Sequence, residues 1–192
     1  MHREATTIYF EERGQGSTDL ILRAAIRRAQ ELAITHLVVA STSGRTARRA
    51  QDLAREAGYG GQLVVVGEHA GFKEPGVQLM RDEVRTDLEN RGARVVIGTH
   101  ALSSVTRSFR LKYGGIGMLE TISDTLRCFS QGVKVAIECS VMAADAGAIP
   151  VDRDVVIVAG SGGGADSALV LRAASMNRFF DLKVREIVGM PR

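Results

Sequence analysis

The sequence contains no tryptophan, few other aromatic residues and only two cysteines. Aromatic residues make up 5% of the 192 positions, which leaves few side chains on which nucleic-acid bases stack. Cys128 and Cys139 form no metal-type cluster with the four scattered histidines, so we predict that no metal is bound and that both thiols are reduced. Two cysteines in a chain of this length also exclude a disulfide-based scaffold.

Long apolar runs and blocks of one charge are missing as well. No apolar run approaches the roughly 20 residues that cross a bilayer, and the N-terminus lacks the apolar core of a secretory signal, so we expect a cytoplasmic protein without a membrane partner. The net charge is +3, and the arginines are interleaved with acids, which does not indicate nucleic-acid binding. With 45% hydrophobic residues, we predict a single domain over residues 1–192.

Short β-branched apolar runs alternate with segments whose apolar residues have helical spacing. Five such runs are predicted to be strands, at 36–40, 62–66, 94–97, 133–137 and 154–159. A strand that is apolar on both faces has to be covered by helices on both sides, which is typical of a parallel, doubly wound sheet. We therefore predict an α/β fold with a mostly parallel sheet.

The remaining periodic segments are predicted to be helices, near 18–32, 45–57, 77–92, 118–130 and 165–174. The chain ends in a predicted strand at 182–188. Only a short turn separates this strand from the helix predicted before it, so we expect the last strand to run antiparallel.

One long irregular segment remains, from Gly98 to Gly117, with a short helix predicted over 102–109. Loops of this length in a compact domain are often functional. The sequence supports a lid over a binding site and an oligomer contact equally well.

Candidate site residues follow the predicted strands, because open α/β sheets bind ligands at the carboxyl ends of their strands. The first group is a hydroxyl-rich turn formed by Ser41, Thr42, Ser43, Gly44, Arg45 and Thr46. Its hydroxyls can donate to phosphate oxygens, Gly44 allows close approach of backbone N–H groups, and Arg45 offers a charge-assisted pair. The alternative is that the hydroxyls only cap the following helix.

The second group is the glycine-rich segment after 154–159, with candidate ligands at Ser161, Gly162, Gly163, Gly164 and Asp166. Three consecutive glycines are costly in conformational entropy, so turn geometry alone explains them poorly. We predict a cradle for a phosphate or a flavin phosphate, with a tight structural turn as the alternative. Asp166 either caps a helix or binds a ligand hydroxyl.

The third group supplies possible acid–base chemistry. Thr99 and His100 follow the strand at 94–97, and Glu138 follows the strand predicted at 133–137. His100 or Glu138 is a candidate acid or base, although no nucleophile and orienting group accompany them in a recognisable pattern. No Gly-Lys-Ser/Thr follows a glycine loop, so a Walker A motif is absent.

Four segments resemble a known family. His36 to Ala54, HLVVASTSGRTARRAQDLA, resembles the strand, loop and helix of the pyruvate kinase C-terminal domain. The segment GTHALSS, the strand predicted before Glu138 and the C-terminal segment GSGGGADSALVLRAASMNRFFDLKVREIVGMPR resemble stand-alone proteins of the pyruvate kinase alpha/beta domain type. The resemblance covers nearly the whole chain and implies a three-layer α/β/α fold with a mixed sheet.

The resemblance also implies a ligand. In pyruvate kinase the corresponding turn binds the phosphate of an effector, and for the stand-alone proteins the resemblance implies flavin mononucleotide (FMN) in the crevice. It does not imply pyruvate kinase activity, since the catalytic barrel is absent. Two hypotheses follow: a regulatory or binding protein that holds FMN or another phosphorylated metabolite, and a flavin-dependent oxidoreductase or other phosphometabolite enzyme that uses His100 or Glu138. We also expect a homo-oligomer.

Overall fold

A seven-stranded mixed sheet forms the centre of the protein in the computed structural model, which describes residues 2 and 4–192. The strands are β1 (Ile8–Phe10), β2 (His36–Ala40), β3 (Gln62–Glu68), β4 (Arg94–Gly98), β5 (Asp154–Ala159), β6 (Ser167–Arg172) and β7 (Lys183–Pro191). Their order across the sheet is β1-β7-β6-β5-β2-β3-β4. Strand β6 pairs antiparallel with β5 and β7, whereas all the other strand pairs in this sheet are parallel.

Within residues 2 and 4–192, six α-helices accompany the sheet: α1 (Thr18–Glu31), α2 (Arg45–Glu56), α3 (Asp82–Asn90), α4 (Ser104–Tyr113), α5 (Met118–Arg127) and α6 (Gln131–Asp145). Helices α1, α2 and α3 cover one face, and α6 covers the other. Successive side chains of a strand point to opposite faces, and accordingly Leu37 and Val39 pack in one core while Val38 packs in the other. This arrangement confirms the predicted three-layer fold.

The predicted strand at 133–137 is wrong, because these residues lie in α6. Almost every side chain of α6 is buried, so the helix lacks the polar stripe that usually marks an amphipathic helix. Its Val-Lys-Val-Ala-Ile sequence consequently has the apolar alternation of a strand. A buried ion pair between Lys134 and Glu138, four residues apart, matches helical spacing instead.

The predicted helix at 165–174 is also wrong, because residues 167–172 form strand β6. Five of its six residues are buried between β5 and β7. Ala and Leu favour helices in isolation, but burial on both faces of a central strand overrides that preference. The glycine-rich segment is therefore a turn between two antiparallel strands, and Asp166 precedes a strand and caps no helix.

The other predictions are close to the observed bounds. Strands β2, β3, β4 and β5 and helix α2 are confirmed, and β7 runs antiparallel to its neighbour β6 as expected. Helix α3 begins at Asp82, so Val77 and Met80 precede it, and the short strand β1 was not predicted. Among the helices of residues 2 and 4–192, none combines the length and apolar character needed to cross a membrane.

Candidate functional site

A cavity of about 640 Å³ lies where the carboxyl ends of β2, β3, β4 and β5 meet at one edge of the sheet. Its volume is within the range of small-molecule sites. Ten of the residues singled out in the sequence line it: Ser41, Thr42, Ser43, Arg45, Thr46, His100, Glu138, Gly162, Gly163 and Gly164. The fold thus brings together residues from four segments that are far apart in the chain: the β2–α2 turn, the loop after β4, helix α6 and the glycine-rich turn.

The turn between β2 and α2 presents backbone donors to this cavity. Gly44 has a φ of 84°, and a Cβ atom there would lie 2.3 Å from Cγ1 of Val84, so only glycine fits this turn. The N–H groups of residues 42–46 have no acceptor in the described part of the chain. Ser41 does cap the helix, since its hydroxyl accepts from the N–H of Ala47 at 3.3 Å. Helix capping and free backbone donors therefore occur in the same turn.

The glycine-rich turn between β5 and β6 faces the same cavity. Gly160 and Gly164 are required by packing, because a Cβ atom would lie 2.3 Å from the carbonyl oxygen of Gly164 and 2.4 Å from Oγ1 of Thr18, respectively. Gly163 differs: a Cβ atom there meets no atom within 4 Å, and its φ lies outside the left-handed region. Protein packing therefore does not require glycine at this position, which is consistent with a close approach by a ligand.

Asp166 holds the glycine-rich turn in place and does not line the cavity. Its buried carboxylate accepts from the N–H groups of Gly14 at 3.1 Å and Ser161 at 3.2 Å, and from the Ser167 hydroxyl at 2.9 Å. Asp166 therefore acts on the cavity indirectly, as a positioning residue for the turn.

We expect Asp166→Ala to lower the free energy of unfolding by about 2–4 kcal/mol, because one buried and two half-buried donors lose a charged acceptor. The turn should also become disordered, so affinity for a phosphorylated ligand should fall. Chemical denaturation and a ligand titration measure the two effects. Asp166→Asn keeps one acceptor, so its free energy of unfolding should lie between those of the wild type and the alanine variant. Wild-type stability in the alanine variant would contradict this role.

Glu138 lies at the floor of the cavity but is already engaged by the protein. One carboxylate oxygen accepts from the N–H of Leu102 at 2.8 Å, and the other pairs with Nζ of Lys134 at 2.5 Å. The side chains of Lys134 and Glu138 are only 7% and 3% exposed. With both oxygens occupied, Glu138 fixes the start of the 102–113 segment, and this arrangement does not favour it as a free base.

His100 lies on the loop after β4, beside an aromatic cluster. Its ring centroid is 4.6 Å from that of Phe72 and 5.9 Å from that of His69, and the Arg107 guanidinium lies 4.9 Å above the Phe72 ring. Burial lowers the pKa of His100 below its usual value, with an opposing contribution from Glu138. His100 is therefore neutral at pH 7 and able to accept a proton.

The lowered pKa of His100 has a consequence for stability. Proton binding favours the unfolded chain, in which the histidine pKa is about 6.5, so the free energy of unfolding should fall as the pH falls below that value. We expect a smaller fall in His100→Asn. Burial also lowers the pKa of His36, so the stability of His100→Asn should still depend to some extent on pH. Denaturation curves at pH 5 and pH 8 measure the difference; identical pH profiles for the two proteins would contradict it.

Four candidate residues do not line the cavity: Gly44, Thr99, Ser161 and Asp166. Thr99 is exposed, so its assignment as a ligand is not supported by its position. Several lining residues were not singled out from the sequence, namely Glu68, Phe72, Lys73, Arg107 and Arg110. The first three follow the same rule as the predicted groups, since they occupy the carboxyl end of β3 and the loop after it.

The cavity rim is cationic. Arg45, Lys73, Arg107 and Arg110 line the cavity, and none of them forms an ion pair with a carboxylate of the described chain. The other two lining cations, Arg127 and Lys134, pair with Asp124 and Glu138. Unpaired arginines and lysines beside free backbone N–H groups form an environment that attracts anions.

Comparison with known families agrees with this architecture. Residues 19–171 match the sequence profile of the family described as pyruvate kinase, alpha/beta domain. The chain belongs to this family. The match includes the β2–α2 turn, the loop after β4, helix α6 and the glycine-rich turn, so all four of these cavity segments lie within the pyruvate kinase alpha/beta domain. The resemblance noted in the sequence is confirmed.

Proposed function

We propose that this pyruvate kinase alpha/beta domain protein binds a phosphorylated small molecule, with FMN as the first candidate, and acts as a binding or regulatory protein without pyruvate kinase activity. One observation carries the proposal: two turns with free backbone N–H groups, at 42–46 and 162–164, line the same cavity. Such groups bind phosphate oxygens without the side-chain entropy cost that a lysine pays.

The remaining cavity residues fit a flavin. The volume of about 640 Å³ suits a molecule of that size, and Leu102, Val135 and Met142 provide apolar walls for a ring system. The phosphate would bind at the two turns and Arg45, where donors are concentrated. When bound, FMN supplies redox chemistry that the side chains of this chain lack.

A second candidate function is a flavin-dependent oxidoreductase or another phosphometabolite enzyme. The position of His100 favours it, because a partly buried, neutral imidazole lines the cavity. In that case His100 would hold or accept a proton next to the bound ligand, while Glu138 stays engaged with Lys134 and Leu102.

The proposal is tested on protein that is purified without added ligand and then denatured. We expect the supernatant to contain FMN, identified by absorbance, fluorescence and mass spectrometry, and the emptied, refolded protein to bind added FMN. Another phosphorylated metabolite in the supernatant would support the phosphate site but contradict FMN as the ligand. Failure to bind FMN, sugar phosphates or inorganic phosphate would overturn the proposal. Reduction by a nicotinamide donor with turnover that is lost in His100→Asn would favour the enzyme.

We further propose that the segment from α4 to α5 contacts a second copy of the chain. Its large apolar side chains are exposed, including Phe109, Leu111, Tyr113, Ile116 and Met118. Apolar patches of this kind mark interaction surfaces. An exposed apolar segment on one copy can pack against the same segment of a second copy, as in an interface between identical chains.

Light scattering after size-exclusion chromatography tests this contact. We expect an oligomer for the wild type and a monomer for Phe109→Asp, with Phe180→Asp as the control because Phe180 is also exposed but lies outside the segment. A monomeric wild type would overturn the proposal.

We also propose a cytoplasmic location, where reducing conditions keep the exposed thiol of Cys128 free. Cell fractionation tests it, and recovery with a membrane or secreted fraction would contradict it.

A further inference from the structure

Glu68 is an unexplained acid inside the candidate cavity. It is the last residue of β3, and its carboxylate lines the cavity close to the carboxyl edge of the sheet. Its Oε2 atom is buried and has no hydrogen-bond partner in the described part of the chain. Burial of a carboxylate oxygen without a donor is costly, so the site is expected to receive a donor from elsewhere.

The groups around Glu68 do not supply that donor. Lys134, the buried cation on α6, is paired with Glu138. His100, at the end of β4, interacts with Glu68 electrostatically but forms no hydrogen bond with it. Cys139 on α6 also interacts electrostatically with Glu68, and burial raises the pKa of its thiol, so the thiol stays protonated, but it forms no hydrogen bond with Oε2 of Glu68. The cavity side of Glu68 therefore remains available.

A second carboxylate in the cavity shows the same pattern. Oε2 of Glu120, in the first turn of α5, is buried without a partner and lines the cavity. The arrangement does not indicate a cation site, because no group of three or more His, Cys, Asp or Glu side chains among residues 2 and 4–192 is placed to hold a metal ion. Two carboxylate oxygens that lack donors instead fit a ligand with hydroxyl or N–H groups.

We propose that Glu68 accepts a hydrogen bond from a hydroxyl or ring N–H group of the ligand, and that the cavity thereby selects phosphate esters that carry such a donor. The inference rests on the proposed phosphate site. A second anionic group near Glu68 would be repelled, so phosphorylated carboxylic acids without a hydroxyl group bind poorly. The cavity thus has two different requirements: an anionic group at the turns and a hydrogen-bond donor at Glu68.

The experiment compares four probes: FMN, glycerol 3-phosphate, phosphoenolpyruvate and inorganic phosphate. Calorimetric titrations use the wild type, Glu68→Gln and the control Glu74→Gln, which removes the same charge from an exposed residue of the following loop that does not line the cavity. We expect Glu68→Gln to lower the affinity for FMN and for glycerol 3-phosphate by about 10-fold. The same variant should bind inorganic phosphate and phosphoenolpyruvate equally well or more tightly, because a negative charge has been removed.

These different expected changes in affinity distinguish a hydrogen bond to Glu68 from electrostatic repulsion by its charge. If all four probes bind Glu68→Gln more tightly, Glu68 acts only as a repelling charge and the inference is overturned. It is also overturned if the wild type binds the hydroxylated esters no more tightly than inorganic phosphate. If the wild type binds none of the four, the phosphate site itself fails. Thermal unfolding checks that Glu68→Gln is folded, and Glu68→Ala provides a second variant with the same expected loss.

Discussion

Gly163→Val should abolish tight binding of a phosphorylated ligand while leaving the fold intact. The valine side chain would project where no protein atom lies within 4 Å, and the backbone at Gly163 is not in the left-handed region. Stability should therefore change by less than about 0.5 kcal/mol. The side chain would nevertheless keep phosphate oxygens away from the N–H groups of the turn, and the loss of two charged hydrogen bonds corresponds to about a 100-fold loss of affinity.

Gly60→Val is the matched control for this variant. Gly60 also has open space around its Cβ position and no left-handed φ, but it precedes β3 and lies away from the cavity. We expect wild-type affinity and stability for it. Unchanged ligand affinity in Gly163→Val, with a normal melting temperature, would place the ligand somewhere other than the glycine-rich turn.

Glu138→Ala should cause the largest loss of stability, about 3–5 kcal/mol. The substitution leaves the Lys134 ammonium buried without a counter-charge and removes the acceptor of the Leu102 N–H. For a protein of this size, the melting temperature should fall by about 10 °C. Calorimetry or chemical denaturation measures the change.

The double variant Lys134→Met with Glu138→Leu tests the reason for that loss. It replaces the buried ion pair with apolar side chains of similar volume, a change that is often neutral or stabilising. We expect it to recover most of the stability, apart from the unsatisfied N–H of Leu102. If the double variant is no more stable than Glu138→Ala, an uncompensated Lys134 charge is not the cause.

The sequence predicted the parallel half of the sheet because its strands are short, β-branched and bounded by turns. The run His36–Ala40 is one example, and Gly58, with a φ of 64°, marks the end of the helix that follows it. Strand β1 was not predicted because it has only three residues and pairs with β7, some 180 residues away in sequence. Local pattern contains no information about such a distant partner.

The two wrong elements have a common physical cause, which is complete burial. Helix α6 has no polar stripe, and β6 has no polar alternation, so periodicity does not distinguish them. Two local features of the sequence do indicate the observed elements. Lys134 and Glu138 are four residues apart, as in a helical ion pair, and the run of four apolar residues from Ala168 to Leu171 has the length of a buried strand.

Most of the candidate residues line one cavity, but whether they bind a ligand stays a prediction. The strand-end rule located the β2–α2 turn and the glycine-rich turn, although the latter connects two strands. Glu138 lines the cavity for a different reason than expected, since it projects from α6. Arg107 and Arg110 lie on α4, and their approach to the cavity depends on the tertiary position of that helix, which the sequence does not determine.

The central claim is that backbone N–H groups of two turns hold the phosphate of a ligand, and an amide NMR titration tests it most directly. FMN, and separately inorganic phosphate, is added to ¹⁵N-labelled protein. We predict saturable shifts concentrated at residues 42–46 and 162–164 with both probes, and further shifts around Glu68 and His100 with FMN alone. Saturable binding that leaves both turns unshifted, or shifts confined to another surface, would contradict the phosphate site.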